Sequence, residues 1–450
     1  FHSVSVIADA ITKGITGFDK NKIYKSMVAA SNYTNWSIPT FNKNNYIQID
    51  DESESVSKTL EYAYDNWCIA QVAKKLNKKT DYELFMNRSQ AYKNVYDNKT
   101  GFMRPRKNGN WLSPFEPLEV NNQYTEANSW QYSFFVPQDV SGLIKLMGGE
   151  KQFEQKLDDL FSAKSETEGR TQADITGLIG QYAHGNEPSH HMAYLYNYVG
   201  KPQKTQEKIH QILTEFYKND PDGLIGNEDC GQMSAWYVLS SIGFYQVCPG
   251  KPEYTIGSPL FDNVKIHLEN GKTFEISKKN PSNKFQYIQS STLKNTMFNS
   301  THLSHVNIMS GGKMEFTMCE KFNPEYTFGN ATELRPSTQI NTKQIIQIPT
   351  IITSAKLTDT EKTISIEHTN NKAKIVYTID GSEPKSTSKV YLGPFTSDSS
   401  ITIKAKAFIN LESSSVTTAV AYRKPNNWKV TIQSQYNKQY DAGGDEGIND

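Results

Sequence analysis

The chain has 450 residues, and its 48 Lys and Arg against 48 Asp and Glu leave no formal net charge. That balance argues against nucleic acid as a main partner, because phosphate binding needs a basic surplus on some face. With 36% hydrophobic and 21% charged residues the chain reads as folded and globular, not disordered, and no apolar run reaches the roughly 18 residues of a membrane span.

Phe1-His2-Ser3 shows neither an initiator Met nor a charged leader, and the first residues already read as helix interior. Asp441-Ala442-Gly443-Gly444-Asp445 breaks off without a closing element, so the chain reads as a piece of something longer. The four cysteines, Cys68, Cys230, Cys248 and Cys319, lack metal-ligand spacing and are too few for a disulfide scaffold. Cys230 and Cys248 flank a predicted helix of about 12 residues, or about 18 Å of rise. Free thiols are therefore expected.

Residues 1–250 carry helical periodicity. In Ser55–Lys75, Val56, Leu60, Tyr64, Trp67 and Val72 recur at three-to-five spacing behind Asp51, Glu52 and Glu54, which suit a helix N-terminus. Further helices are predicted at 3–15, 21–31, 80–97, 137–147, 150–164, 190–198, 203–218 and 230–242, separated by short polar turns such as Asn219-Asp220-Pro221-Asp222-Gly223. Many antiparallel helices of similar length predict a mainly α fold, a toroid of helical hairpins. Over 251–330 the period changes to two, as in Val264–Leu268 and Thr273–Ile276 around a turn at Glu269–Lys272, predicting a β-rich segment packed on the helical body. Residues 331–345 read as a polar linker. A small β-sandwich is predicted at 346–424, with strands at Thr363–Glu367, Lys374–Thr378 and Ile401–Ala407 and a tight turn at Asp380-Gly381. Residues 425–450 open a further strand-rich unit.

Three polar clusters could carry chemistry. The first is Tyr124-Thr125-Glu126-Ala127-Asn128-Ser129-Trp130-Gln131-Tyr132. A carboxylic acid among aromatics has its pKa raised and can stay protonated as a general acid. A helix N-terminus with Glu126 near the cap accounts for the same pattern. The second is His184-Gly185-Asn186-Glu187-Pro188-Ser189-His190-His191. Pro188 puts Asn186 and Glu187 on a turn, where oxygen ligands suit Ca²⁺. The paired His190 and His191 invite zinc, yet helical neighbours point about 100° apart, so at most one could be a ligand. The third runs from Gly226 to Trp236. Its two acids, Glu228 and Asp229, could complement the dipole of the helix that follows. Alternatively, an Asp beside Asn227 and Gln232 can hold and deprotonate a water. Three such clusters on turns of one helical body favour chemistry, because loops gather on one face.

The runs Tyr124–Gln138, Gly180–Val199 and Gly226–Gly250, together with Ser55–Lys75 and Gly101–Arg106, resemble signature segments of glycoside hydrolase family 92 over about residues 1–330. That family comprises calcium-dependent, inverting exo-α-mannosidases, mostly bacterial. The resemblance implies an (α/α)6 toroid, incomplete at its N-terminus, behind a β-sandwich that precedes Phe1 and helps to build the active site. It implies Glu126 as general acid and Asp229 as general base. Asn186 and Glu187 become calcium ligands, and His184, Gly185, Asn227 and Gln232 substrate-binding residues. Asn227 departs from the Asp common in the family, which concentrates the base role on Asp229. In α-1,2-acting relatives Glu tends to follow the His184 position, so Gly185 implies an opened leaving-group side. The implied partners are mannose-containing glycans, N-glycans or mannans, and the implied location is periplasmic, cell-surface or secreted. Residues 346–424 resemble the fibronectin-like domain behind chitobiases, and Trp428–Asp450 the opening of a discoidin-like domain. The alternatives are a glycan-binding protein whose toroid no longer turns over and another inverting glycosidase on the same toroid. The 450-residue piece alone is expected to be poorly active.

Overall fold

The computed structural model describes residues 1–282, 286–322, 324, 335–338, 343–354, 361–422 and 433. Helix takes 33% of the described residues and strand 23%, which corrects the mainly α expectation to a mixed α/β one. Most of the strand lies beyond residue 250, and the segments between helices add paired two-residue strands, such as Tyr96–Asp97 with Phe102–Met103 and Leu178–Ile179 with Tyr182–Ala183.

The α-helices are α1 (Ser3–Lys13), α2 (Lys20–Ala30), α3 (Ile38–Asn44), α4 (Ser55–Lys75), α5 (Lys79–Arg88), α6 (Ser129–Tyr132), α7 (Val140–Leu146), α8 (Glu150–Ser162), α9 (Pro202–Glu215), α10 (Gln232–Ile242) and α11 (His305–Met309). Helix α4 has the predicted span and is buried on nearly every face, including Asp65 and Asn66. The helix expected at 80–97 stops at Arg88. Beyond it Asp97 accepts from the Lys99 amide (3.0 Å) and the Thr100 hydroxyl (3.1 Å), and Gly101 takes φ +74°, so the chain closes a hairpin instead. The helix expected at 190–198 is a 3₁₀ run, Met192–Val199. All eight of its side chains are buried, which removes the solvent-facing stripe that an amphipathic α-helix serves.

The 251–330 region forms the expected hairpin, Asn263–His267 against Thr273–Lys279, inside a five-stranded mixed sheet. Phe274, Ile276, Met314 and Phe316 of that sheet pack with Leu239 and Ile242 of α10. Described residues of the stretch read as a linker are bonded to the helical body. Arg335 donates to the Tyr198 carbonyl (2.6 Å), the Thr338 amide donates to Asp139 (3.1 Å), and the Ile345 amide donates to Gln90 (3.2 Å).

Beyond it, two antiparallel sheets enclose Ile351, Ile364, Ile366, Tyr377, Ile403 and Ala419. This pair of sheets is fastened to the hairpin at Asn108, whose side chain donates to the Val420 carbonyl (2.9 Å) and accepts from the Val420 amide (2.7 Å). All four cysteines are free, Cys68 and Cys248 buried and Cys230 exposed. The discoidin-like unit expected from residue 425 lies outside the described residues, apart from Gln433.

Candidate active site

The start of α4 holds the segment that carries Glu126. The Val56 amide donates to the Gln123 carbonyl (3.1 Å), Ser55 donates to the Gln123 side chain (3.1 Å), and the Thr125 amide donates to the Ser57 hydroxyl (2.8 Å). The cap of α6 is Asn128, not Glu126. Asn128 and Gln131 form a capping box, each side chain accepting the other's backbone N–H. Glu126 is thereby spared the capping role and sits on a left-handed turn, φ +52°. Left-handed backbone in a non-glycine residue is costly and persists where surrounding contacts impose it. Burial holds the Glu126 carboxyl above its usual range, and the negative charges of Asp174, Glu187, Asp229 and Glu54 push the same way.

The Asn186 loop meets this turn directly. Its side-chain N–H donates to the Glu126 carbonyl at 3.0 Å, and its Oδ1 accepts from the Glu187 amide at 3.0 Å. The loop then enters a short 3₁₀ turn, Glu187–Ser189, with Pro188 inside it. Glu187 itself is exposed and close enough for its charge to act on Glu126. Amide and carboxylate oxygens are the donor type a hard cation prefers. Among the described residues, however, no three His, Cys, Asp or Glu side chains are grouped to hold a metal ion. Asn186 and Glu187 thus fit calcium in chemistry and offer part of an oxygen shell.

The two acids ahead of α10 separate into different tasks. Glu228 caps the helix: its carboxylate accepts from the Gly231 amide, the Ser234 amide (3.2 Å) and the Ser234 hydroxyl (2.7 Å). Those bonds hold its pKa below the usual range. Asp229 and Cys230 follow in left-handed backbone, φ +55° and +57°, and Asp229 stays exposed. Its charge is felt at Glu126. The capping account therefore belongs to Glu228 and leaves Asp229 available.

The remaining sequence-predicted residues are placed as follows. His184 is fully buried, one ring nitrogen bonded to the Tyr182 hydroxyl (2.8 Å) and the other to Tyr217 (2.6 Å), with Trp236 edge-on at 4.4 Å. Burial drives its pKa well down. Gln232 is bonded to His190 Nδ1 (3.1 Å), and His190 Nε2 to the His184 carbonyl (2.8 Å). His191 is bonded to the Phe134 carbonyl (2.9 Å). Both histidines of the pair are packed and bonded to backbone, so neither reaches for a metal.

Asn227 is exposed and donates to Asp174 at 3.1 Å. Gly185 opens no space: a Cβ there would lie 1.9 Å from the Thr176 hydroxyl. Sequence reasoning missed Asp174 and Thr176, which sit in the aperiodic stretch Gln172–Gly177, and Tyr217, which ends a helical segment. None of them belongs to a polar cluster.

The sequence profile of the glycosyl hydrolase family 92 catalytic domain matches residues 1–320, and that of the chitobiase/β-hexosaminidase C-terminal domain matches residues 354–419. A family GH92 α-mannosidase of Bacteroides thetaiotaomicron, solved in complex with mannoimidazole, is similar with a TM-score of 0.70 at 41% identity, over 73% of this chain and 44% of that one. An inverting mannosidase of the same family and organism is similar with a TM-score of 0.64 at 33% identity, over 76% and 48%. An uncharacterized secreted glycosidase of Arthroderma benhamiae is 29% identical over 357 residues, 70% of this chain and 44% of that one. The chain thus spans less than half the length of these relatives.

Proposed function

The chain belongs to glycosyl hydrolase family 92, and from that membership we propose that it is part of a calcium-dependent exo-α-mannosidase. It removes terminal α-mannosyl residues from N-glycans or mannans with inversion. The helices of residues 1–250 build an incomplete (α/α)6 toroid, 251–330 packs on it, 331–345 connects, and 346–424 is a chitobiase-type sandwich. The protein acts outside the cytoplasm of a bacterium. No helix among the described residues is long and apolar enough to cross a membrane.

The observation that supports the reading is that two differently treated carboxyls lie within reach of each other's charge. Glu126 is partly buried and its pKa is raised, as a proton donor to a leaving oxygen requires. Asp229 is exposed and freed from capping by Glu228, as a base for a water requires. Inversion calls for the two to be about 6.5–9.5 Å apart with that water between them. Glu126 hands its proton to the glycosidic oxygen while Asp229 takes one from the water attacking the opposite face. Asn186 and Glu187 would hold calcium, which would supply a hard cation for vicinal sugar hydroxyls. His184 and Gln232 act from behind the site, through Tyr217 and His190, by fixing the Asn186 loop.

The test is release of mannose from linkage-defined α-mannobioses, lost on chelation and restored by Ca²⁺, with the first-formed anomer read by proton NMR. β-Mannose is expected. First-formed α-mannose, or release indifferent to chelation, overturns the reading.

A further inference from the structure

Thr176 occupies a socket made by glycines on two different site loops. A Cβ on Gly185, in the loop of Asn186 and Glu187, would meet its hydroxyl oxygen at 1.9 Å, and a Cβ on Gly226, in the loop of Asp229, would meet the same atom at 2.2 Å. No larger residue fits either position while Thr176 stays, because van der Waals contact needs more than 3 Å. The backbone around it is tied to the same two loops. The Gly185 amide donates to the Thr176 carbonyl (3.1 Å), the His184 amide to the Gly177 carbonyl (3.1 Å), and the Thr176 hydroxyl to the Ile225 carbonyl (3.4 Å). Two residues earlier, Asp174 accepts from Asn227 (3.1 Å) with one oxygen and from Gln172 (2.5 Å) with the other.

We propose that residues 172–176 form a positioning strut: Thr176 wedged between Gly185 and Gly226, and Asp174 bonded to Asn227, fix the loop of Asp229 against the loop of Asn186 and so set the spacing of acid and base. This rests on the mannosidase reading for what the spacing serves, though not for the strut itself. Gly185 then takes a meaning other than an opened leaving-group side. It is small because Thr176 fills the space.

Five variants of the protein, assayed on an α-mannobiose and by amide hydrogen exchange, test the strut. Thr176→Ala empties the socket and is expected to lower kcat about 10- to 100-fold with little change in KM, as a shift of reacting groups does. Thr176→Ser retains most of the rate. Gly185→Ala is expected to lose activity and to regain part of it with Thr176→Ala, because only contacts of 3.2 Å then remain. Asp174→Ala removes the acceptor for Asn227 and is expected to lower kcat with little change in KM. In Thr176→Ala, amides of residues 185–190 and 226–231 should exchange faster together. A wild-type rate for Thr176→Ala, failure of the pair to rescue, a wild-type kcat for Asp174→Ala, or exchange rising in one loop alone overturns the strut. Coupled exchange in a protein that releases no mannose sinks the mannosidase reading and leaves the interlock standing.

Discussion

The side-chain amide of Asn186 donates to the backbone carbonyl of Glu126 at 3.0 Å, joining residues 60 positions apart. The bond pins the backbone at the left-handed turn of Glu126. Asn186→Ala is expected to lower kcat by about tenfold or more, since small misplacements of a reacting group cost that much. Asn186→Asp should be no better, because a carboxylate facing the carbonyl has no proton to donate. Equal kcat for both variants and wild type would refute this role.

Glu126→Gln keeps the shape and removes the acid. A loss of about 10²- to 10⁴-fold is expected on mannobioses. The loss should be much smaller on an aryl mannoside whose leaving group needs no proton. Uniform loss on both substrates would point to folding damage. The wild-type profile should decline on the alkaline side through the raised pKa of Glu126, since the acid must be protonated to act.

Buried histidines tie stability to pH. Burial brings His190 and His191 down to about 4 and His302 to about 3, from the ordinary 6.5. The unfolded chain therefore binds more protons than the folded one between pH 6.5 and these values. Stability from this source is complete above about pH 6.5 and is lost as pH falls toward 4. The urea midpoint should drop between pH 7 and pH 5, and a flat midpoint would count against neutral, buried imidazoles.

Removing His184 tests its supporting place. Its ring satisfies two tyrosine hydroxyls and fills space beside Trp236. His184→Ala should cost roughly 2–4 kcal/mol of stability by leaving a cavity and orphaned hydroxyls. The affinity for mannose should change less than kcat. A large, selective loss of sugar affinity, measured by calorimetry, would place the ring in the subsite instead.

The cysteines offer a quick chemical check. Cys230 is exposed beside Asp229, whereas Cys68 and Cys248 are buried and their thiols are pushed up by burial. A maleimide should label Cys230 first and abolish turnover, and the two buried thiols should react only on denaturation.

Long apolar periods were the legible part of the sequence. Helix α4 and the hairpin at 263–279 came out at their predicted places because burial pattern alone decides them. Where the Asp97 carboxylate accepts from the Lys99 amide and the Thr100 hydroxyl, local chemistry outweighed helical period within the predicted 80–97 helix. The site was legible as three clusters. The division of labour between Glu228 and Asp229 was not, because it depends on which carboxylate finds the N–H groups of α10. Thr176 had no signal at all. Its partners are two absent side chains.

Asp229, Cys230 and Gly231 occupy left-handed backbone in succession, φ +55°, +57° and +100°, and only the last is a glycine. Such a stretch survives by the anchorage of its ends, at Glu228 on one side and α10 on the other, and has little intrinsic preference for its own shape. Warming should loosen it well before the cores around α4 give way. On the proposed function, heat inactivation will then be a two-stage affair, with a loss of activity that cooling reverses arriving some degrees ahead of melting.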